Sequence, residues 1–205
     1  MKKIVITGTG RAGTTFLVEL FTLLGFDTGF STHSIRKLLA NTHESDVARA
    51  GLEVGLNKHD PYIIKSPDFC ESIGALLEEG LVKHIIVPVR GLFAAAESRR
   101  LVQQRAKTDT PVDGGYISST DHPNEDQEII LLKRIYNLLM QLSVYDDVPI
   151  TFILFPKLVQ DPKYLFRKLR PVLAGHDYES FLASFYEVAK PELVHEFKKP
   201  GGGNI

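Results

Sequence analysis

Tryptophan is absent from this 205-residue chain, methionine occurs twice and cysteine once. A single thiol, Cys70, excludes an intramolecular disulfide and fits a reducing compartment. No stretch approaches the ~18 consecutive apolar residues of a membrane-spanning helix. Met1 is followed almost at once by a strand pattern, with no apolar leader, so the expectation is a soluble, cytoplasmic protein. No charge dominates: 24 Lys and Arg stand against 25 Asp and Glu, a net of −1. That balance gives no footing for nucleic-acid or membrane-surface binding. The seven histidines lack ligand-like spacing, and no metal site is expected.

Short apolar runs at 3–7, 62–65, 84–89 and 150–154 read as parallel strands buried on both faces. Helical periodicity covers 14–24, 34–41, 44–50, 68–79, 92–107, 125–144, 162–173 and 178–188. Strands alternating with helices predict a three-layer α/β sandwich around a parallel sheet of about four to five strands. One domain over residues 1–205 fits the length. Two segments break the rhythm. Residues 108–127, polar with two prolines and an adjacent glycine pair, read as a flexible loop, and 197–205 read as a flexible tail.

The chemistry-bearing stretch comes first in the chain. The β-branched run Ile4-Val5-Ile6-Thr7 stops at Gly8, and helical spacing begins at Thr14. A strand, a glycine loop and a helix start in that order present backbone N–H groups to a phosphate. Gly8 and Gly13 have the spacing of a Walker A loop. That motif needs a lysine where this chain has Thr14, and Arg11 supplies the positive charge instead. A nucleoside triphosphatase of that type also needs a carboxylate for Mg²⁺ at the end of a further strand. Here the run from His84 to Val89 ends in Arg90, which repels a cation and pairs in a forked geometry with phosphate. Both departures favour a phosphate ester over a magnesium nucleoside triphosphate.

Four segments, in order, resemble the P-loop sulfotransferases that use 3′-phosphoadenosine 5′-phosphosulfate (PAPS). Their phosphosulfate loop is a basic residue, a small residue, glycine and two hydroxyl residues, as in Arg11-Ala12-Gly13-Thr14-Thr15. Lys65-Ser66-Pro67 is similar to the Lys-x-Pro that ends their second strand. Arg90 and Ser98, eight residues apart, match the Arg and Ser that hold the 3′-phosphate. Phe155-Pro156-Lys157-Leu158 with Asp161-Pro162 resembles their Tyr-Glu-Asp-Leu-x-x-Asp-Pro segment, without its two acids. The likeness runs from about residue 3 to residue 173. It implies a P-loop NTPase-like fold and PAPS as co-substrate, with no metal required. The implied reaction moves a sulfuryl group to a hydroxyl or amine of a small molecule or glycan. Arg11, Ala12, Gly13, Thr14 and Thr15 would hold the phosphosulfate, and Arg90 and Ser98 the 3′-phosphate. Arg11 and Lys65 would stabilise charge growing on the departing phosphate oxygen.

The acceptor side is less marked. Some family members carry a histidine two residues after the second-strand lysine, where this chain has Pro67. The loop 26–34 offers Asp27 and His33, and histidine is the side chain that changes charge near neutral pH. His33 is the first candidate for the base, with His43 and Glu44 behind it. Residues 32–56 and 108–127 would shape the acceptor pocket. Lys198-Lys199 stands where many members close an Arg-Lys-Gly segment over the nucleotide. Two other readings stay open: a small-molecule or nucleotide kinase with an atypical loop, and a nucleotide-binding protein without chemistry.

Overall fold

A computed structural model describes residues 1–40, 52–53, 61–117, 126–173, 175–195 and 197. Strands β1 (Lys3–Ile6), β2 (Ile63–Lys65), β3 (Val82–Val89) and β4 (Ile150–Leu154) form one parallel sheet in the order β2-β1-β3-β4. Alternate residues feed two cores. Ile4, Ile6, Ile63, Ile86 and Ile153 enter one; Val5, Ile64, Ile85 and Val87 enter the other. β1, β2 and β3 are buried on both faces and read as continuous apolar runs. β4 departs from that expectation: at the sheet edge it buries Ile153 and leaves Phe152 and Leu154 exposed.

Helices α1 (Thr14–Leu23), α7 (Pro162–Leu169) and α8 (Tyr178–Val188) fill the first core, and α3 (Phe69–Glu78) and α5 (Gln127–Leu142) the second. α2 (Thr32–Ala40) packs on α1, and α4 (Leu92–Ala106) on α5. The expected three-layer α/β sandwich is therefore present, with four strands. Among the described residues no helix is long and apolar enough to cross a membrane.

Several boundaries differ from the sequence reading, each for a local reason. The Ser31 hydroxyl accepts a hydrogen bond from the Ser34 amide at 3.1 Å. That side-chain cap starts α2 at Thr32 and puts His33 on its first turn rather than in a loop. A one-turn helix, α6 (Lys157–Gln160), follows β4 and is too short for periodicity to reveal. α7 ends at Leu169 in a 3₁₀ turn, Arg170–Val172, because Pro171 has no N–H to continue the ladder. The expected helix at 44–50 lies outside the described residues.

The strand order positions the site. The chain moves from β1 to β2 on one side, then crosses to β3 on the other side of β1. Ligand crevices of open α/β sheets form at such a reversal, beyond the carboxyl ends of the strands. Residues 7–13 leave β1 there, with Lys65 at the end of β2 and Arg90 just past β3.

Candidate functional site

The glycine loop is bent into a shape that ordinary residues resist. Gly8, Gly10 and Gly13 have φ of 146°, 72° and 88°, and Arg11 adopts φ 54° despite its side chain. A left-handed non-glycine residue costs about 1–2 kcal/mol, so neighbours must hold it. Two of the residues picked out by sequence do so. Arg90 Nη1 donates to the Arg11 carbonyl at 3.0 Å, and Arg11 Nε donates to Ser98 Oγ at 3.0 Å. Gly13 caps α1. No side chain caps that helix start, and its first turn holds no acidic residue, so the positive end of the helix dipole meets no carboxylate of its own there. The loop also has a floor: a Cβ on Gly13 would sit 3.1 Å from Leu158 and 3.2 Å from Phe155. This is the structural use of the segment after β4. Its Asp161 caps α7 by accepting from the Tyr164 amide at 2.9 Å, with Pro162 at the first helical position.

A cavity of about 310 Å³ opens over this loop. Gly10, Arg11, Thr14 and Thr15 line its loop side. Lys65 enters from the end of β2, only 3% exposed, with Nζ 3.3 Å from Glu53 Oε1. Burial holds the lysine below its ordinary pKa, and Glu53 partly offsets this. Arg99, 5% exposed, and Arg134 add two further cations to the lining. Arg134 is balanced by Asp68 at 3.5 Å and Glu71 at 3.0 Å. Asp113 and Tyr116, from the 108–117 segment, also line the cavity. Anion affinity of this cavity is expected to decline with rising pH below the 10.5 of a solvated lysine. Only the protonated Lys65 attracts an anion, and that form is lost as pH passes its lowered pKa. Titrating 3′-phosphoadenosine 5′-phosphate (PAP) across alkaline pH measures this, and Lys65→Met should remove the lysine's share of the decline. A decline identical in that variant would assign it elsewhere.

Arg90, bonded to the Arg11 carbonyl, is not among the residues lining this cavity. Its Nη2 donates to the His195 carbonyl at 2.8 Å, and its guanidinium lies over the Phe155 and Phe197 rings at 4.6 and 5.7 Å. Burial, with the Arg11 charge second, pushes its pKa down to about 10. Ser98 is buried on α4. The structure thus brings Arg90, Ser98 and Arg11 together, with Arg11 between the other two. Arg100, next to them in sequence, is taken up by Glu97, Glu128 and Asp126 at 2.6, 2.5 and 3.3 Å.

The base candidates separate. His33 is exposed on α2 and outside the cavity lining. Asp27 accepts from the Gly29 amide at 3.1 Å and so serves a turn. His43, Glu44, Lys198 and Lys199 lie outside the described residues. Sequence reasoning missed Glu53, which reaches Lys65 from a separate segment. It also missed the inward aim of Arg99, because α4 buries a mixed face of Ala95, Ala96, Ser98, Arg99, Val102 and Gln103. A face of that composition gives hydrophobic periodicity little to detect. Among the described residues no group of three or more His, Cys, Asp or Glu is placed to hold a metal ion.

No family model and no curated protein matches the sequence. Among solved structures, the chain superposes on the sulfotransferase domain from the curacin biosynthetic pathway. The TM-score is 0.53 and the identity 16%, over 89% of this chain and 77% of that one. The fold is that of a sulfotransferase domain. At such identity the likeness concerns the fold. The α/β architecture expected from the sequence is what this chain shares with that domain.

Proposed function

We propose that the protein transfers a sulfuryl group from PAPS to a hydroxyl or amine acceptor. The observation that carries the reading is the glycine loop at the strand-order reversal, with Arg11, Lys65 and Arg99 lining one cavity above it. Three cations suit a donor carrying several negative charges. The residue past β3 is Arg90 rather than a metal-binding carboxylate, which supports a donor used without Mg²⁺. The sulfotransferase-domain fold adds support.

In this reading the donor's sulfur–oxygen bond breaks as the acceptor oxygen or nitrogen bonds to sulfur. Negative charge then grows on the phosphate oxygen of departing PAP. Lys65, desolvated and fixed, stabilises that charge more strongly than it would in water. The acceptor's proton goes to a carboxylate. Of the acids lining the cavity, Glu53 is the one hydrogen-bonded to Lys65, and we assign it the base role first given to His33. The wall carrying Asp113 and Tyr116 faces the acceptor.

The test is turnover. The protein is incubated with PAPS and a panel of small hydroxyl, amine and saccharide acceptors, and PAP and sulfated product are followed by mass spectrometry. Sulfated product formed in step with PAP, without added Mg²⁺, is expected. Phosphorylated product from Mg-ATP instead would overturn the assignment in favour of a kinase.

A further inference from the structure

Arg99 and Gln103 are one turn apart on α4, and so share a face. Both are buried and both are polar, an expensive placement unless each is hydrogen-bonded. Gln103 organises the start of the polar segment. Its amide nitrogen donates to the carbonyls of Thr108 and Thr110 at 2.6 and 2.8 Å, and its oxygen accepts from the amides of Val112 and Tyr116, each at 3.3 Å. The packing is tight enough that a Cβ on Gly115 would lie 2.6 Å from Gln103 Oε1. Gln127 closes the far end, with Oε1 and Nε2 bonded to the amide and carbonyl of Ile117, each at 3.0 Å.

Arg99 connects that segment to the phosphate loop. Nη1 donates to the Gly115 carbonyl at 2.9 Å and Nη2 to the Thr9 carbonyl at 2.7 Å. The same Nη2 stands 2.6 Å from where a Cβ on Gly10 would be, so the guanidinium presses directly on the loop. Its pKa is pushed down to about 10, by burial first and then by Arg134 and Arg11. One planar fork therefore fixes two backbone segments that no strand or helix joins, and both line the cavity.

We infer that Arg99 is a positioning residue that couples the phosphate loop to the 108–117 wall, so that filling the loop with an anion orders the acceptor-facing side. The donor's phosphates and the acceptor wall then share one register, set by a side chain that needs to touch neither substrate. The acceptor role of the wall rests on the sulfotransferase reading, whereas the coupling itself does not.

The test is a double-mutant cycle read by hydrogen exchange on the full chain without ligand. Gln103→Ala should speed exchange across 108–117 by roughly tenfold, since its amide organises that segment. Through Arg99 it should also speed exchange at residues 8–13, with α3 and α8 unchanged as internal controls. In an Arg99→Lys background the second effect should vanish, because an ammonium lacks the planar fork. If that background fails to fold, Arg99→Gln takes its place. Exchange at 8–13 that ignores Gln103→Ala, or responds equally in both backgrounds, would overturn the coupling. A second arm adds PAP. Protection of both segments in the wild type, and of 8–13 alone in the Arg99 variant, is expected. Protection of the wall that persists in the variant also counts against Arg99. PAP that protects neither segment while the ligand-free cycle holds would remove the donor reading and leave the coupling intact.

Discussion

Replacing Lys65 by methionine is expected to lower the rate of sulfuryl transfer by roughly 10²–10³ while leaving the fold in place, since a preorganised cation facing a developing oxyanion contributes on that scale. The two halves of the expectation come from the same burial. Lys65 is 3% exposed and its amine has Glu53 at 3.3 Å. Removing a desolvated charge relieves a cost that Glu53, itself half exposed, and the charges of Asp113 and Asp68 offset only in part. Methionine keeps most of the volume, so the melting temperature should stay or rise. Single-turnover kinetics with PAPS separates the chemical step from binding. A fall of only a few-fold, or a fall matched by unfolding, would make Lys65 a structural lysine at a strand end.

Gly13→Ala should be the most damaging small change in the loop. The residue has φ 88°, where an alanine costs about 1–2 kcal/mol. Its new methyl would also meet Leu158 at 3.1 Å and Phe155 at 3.2 Å. Leu158 is fully buried and has little room to give, and such overpacking costs about 1–3 kcal/mol more. Together these predict a loss of about 2–5 kcal/mol, or roughly 4–20 °C in melting temperature for a chain of this size. Anion binding should fall as well, because the same residue sets the first amides of α1. A variant that melts with the wild type and still binds PAP would show that the loop is not held against the segment after β4.

The strands were legible as short apolar runs, and all four lie within two residues of where the runs place them, although edge strand β4 leaves Phe152 and Leu154 exposed. The loop was legible for a different reason: Gly8, Gly10 and Gly13 mark backbone that other residues cannot adopt. What the sequence hid are the contacts between distant segments. Glu53 and Lys65 meet across a gap that no periodicity spans. Arg99 looks like one more charge on a helix until its two carbonyl partners are known. His33 was drawn to the site by its residue type, whereas the Ser31 cap puts it on the exposed first turn of α2. Arg90 and Ser98 were chosen by an eight-residue spacing. Spacing places both beside Arg11 but cannot tell which of them would reach a ligand directly.

The central claim is that this loop receives a 3′-phosphorylated adenosine nucleotide. The most direct measurement is the melting temperature with PAP, against AMP, ADP and Mg-ATP at matched concentrations. A ligand at a hundredfold its dissociation constant stabilises by about 2.7 kcal/mol, which is several degrees here. The account predicts a shift with PAP that is larger than with AMP, independent of Mg²⁺ and diminished in Arg90→Ala. A shift with Mg-ATP alone, or equal shifts with PAP and AMP, would contradict it.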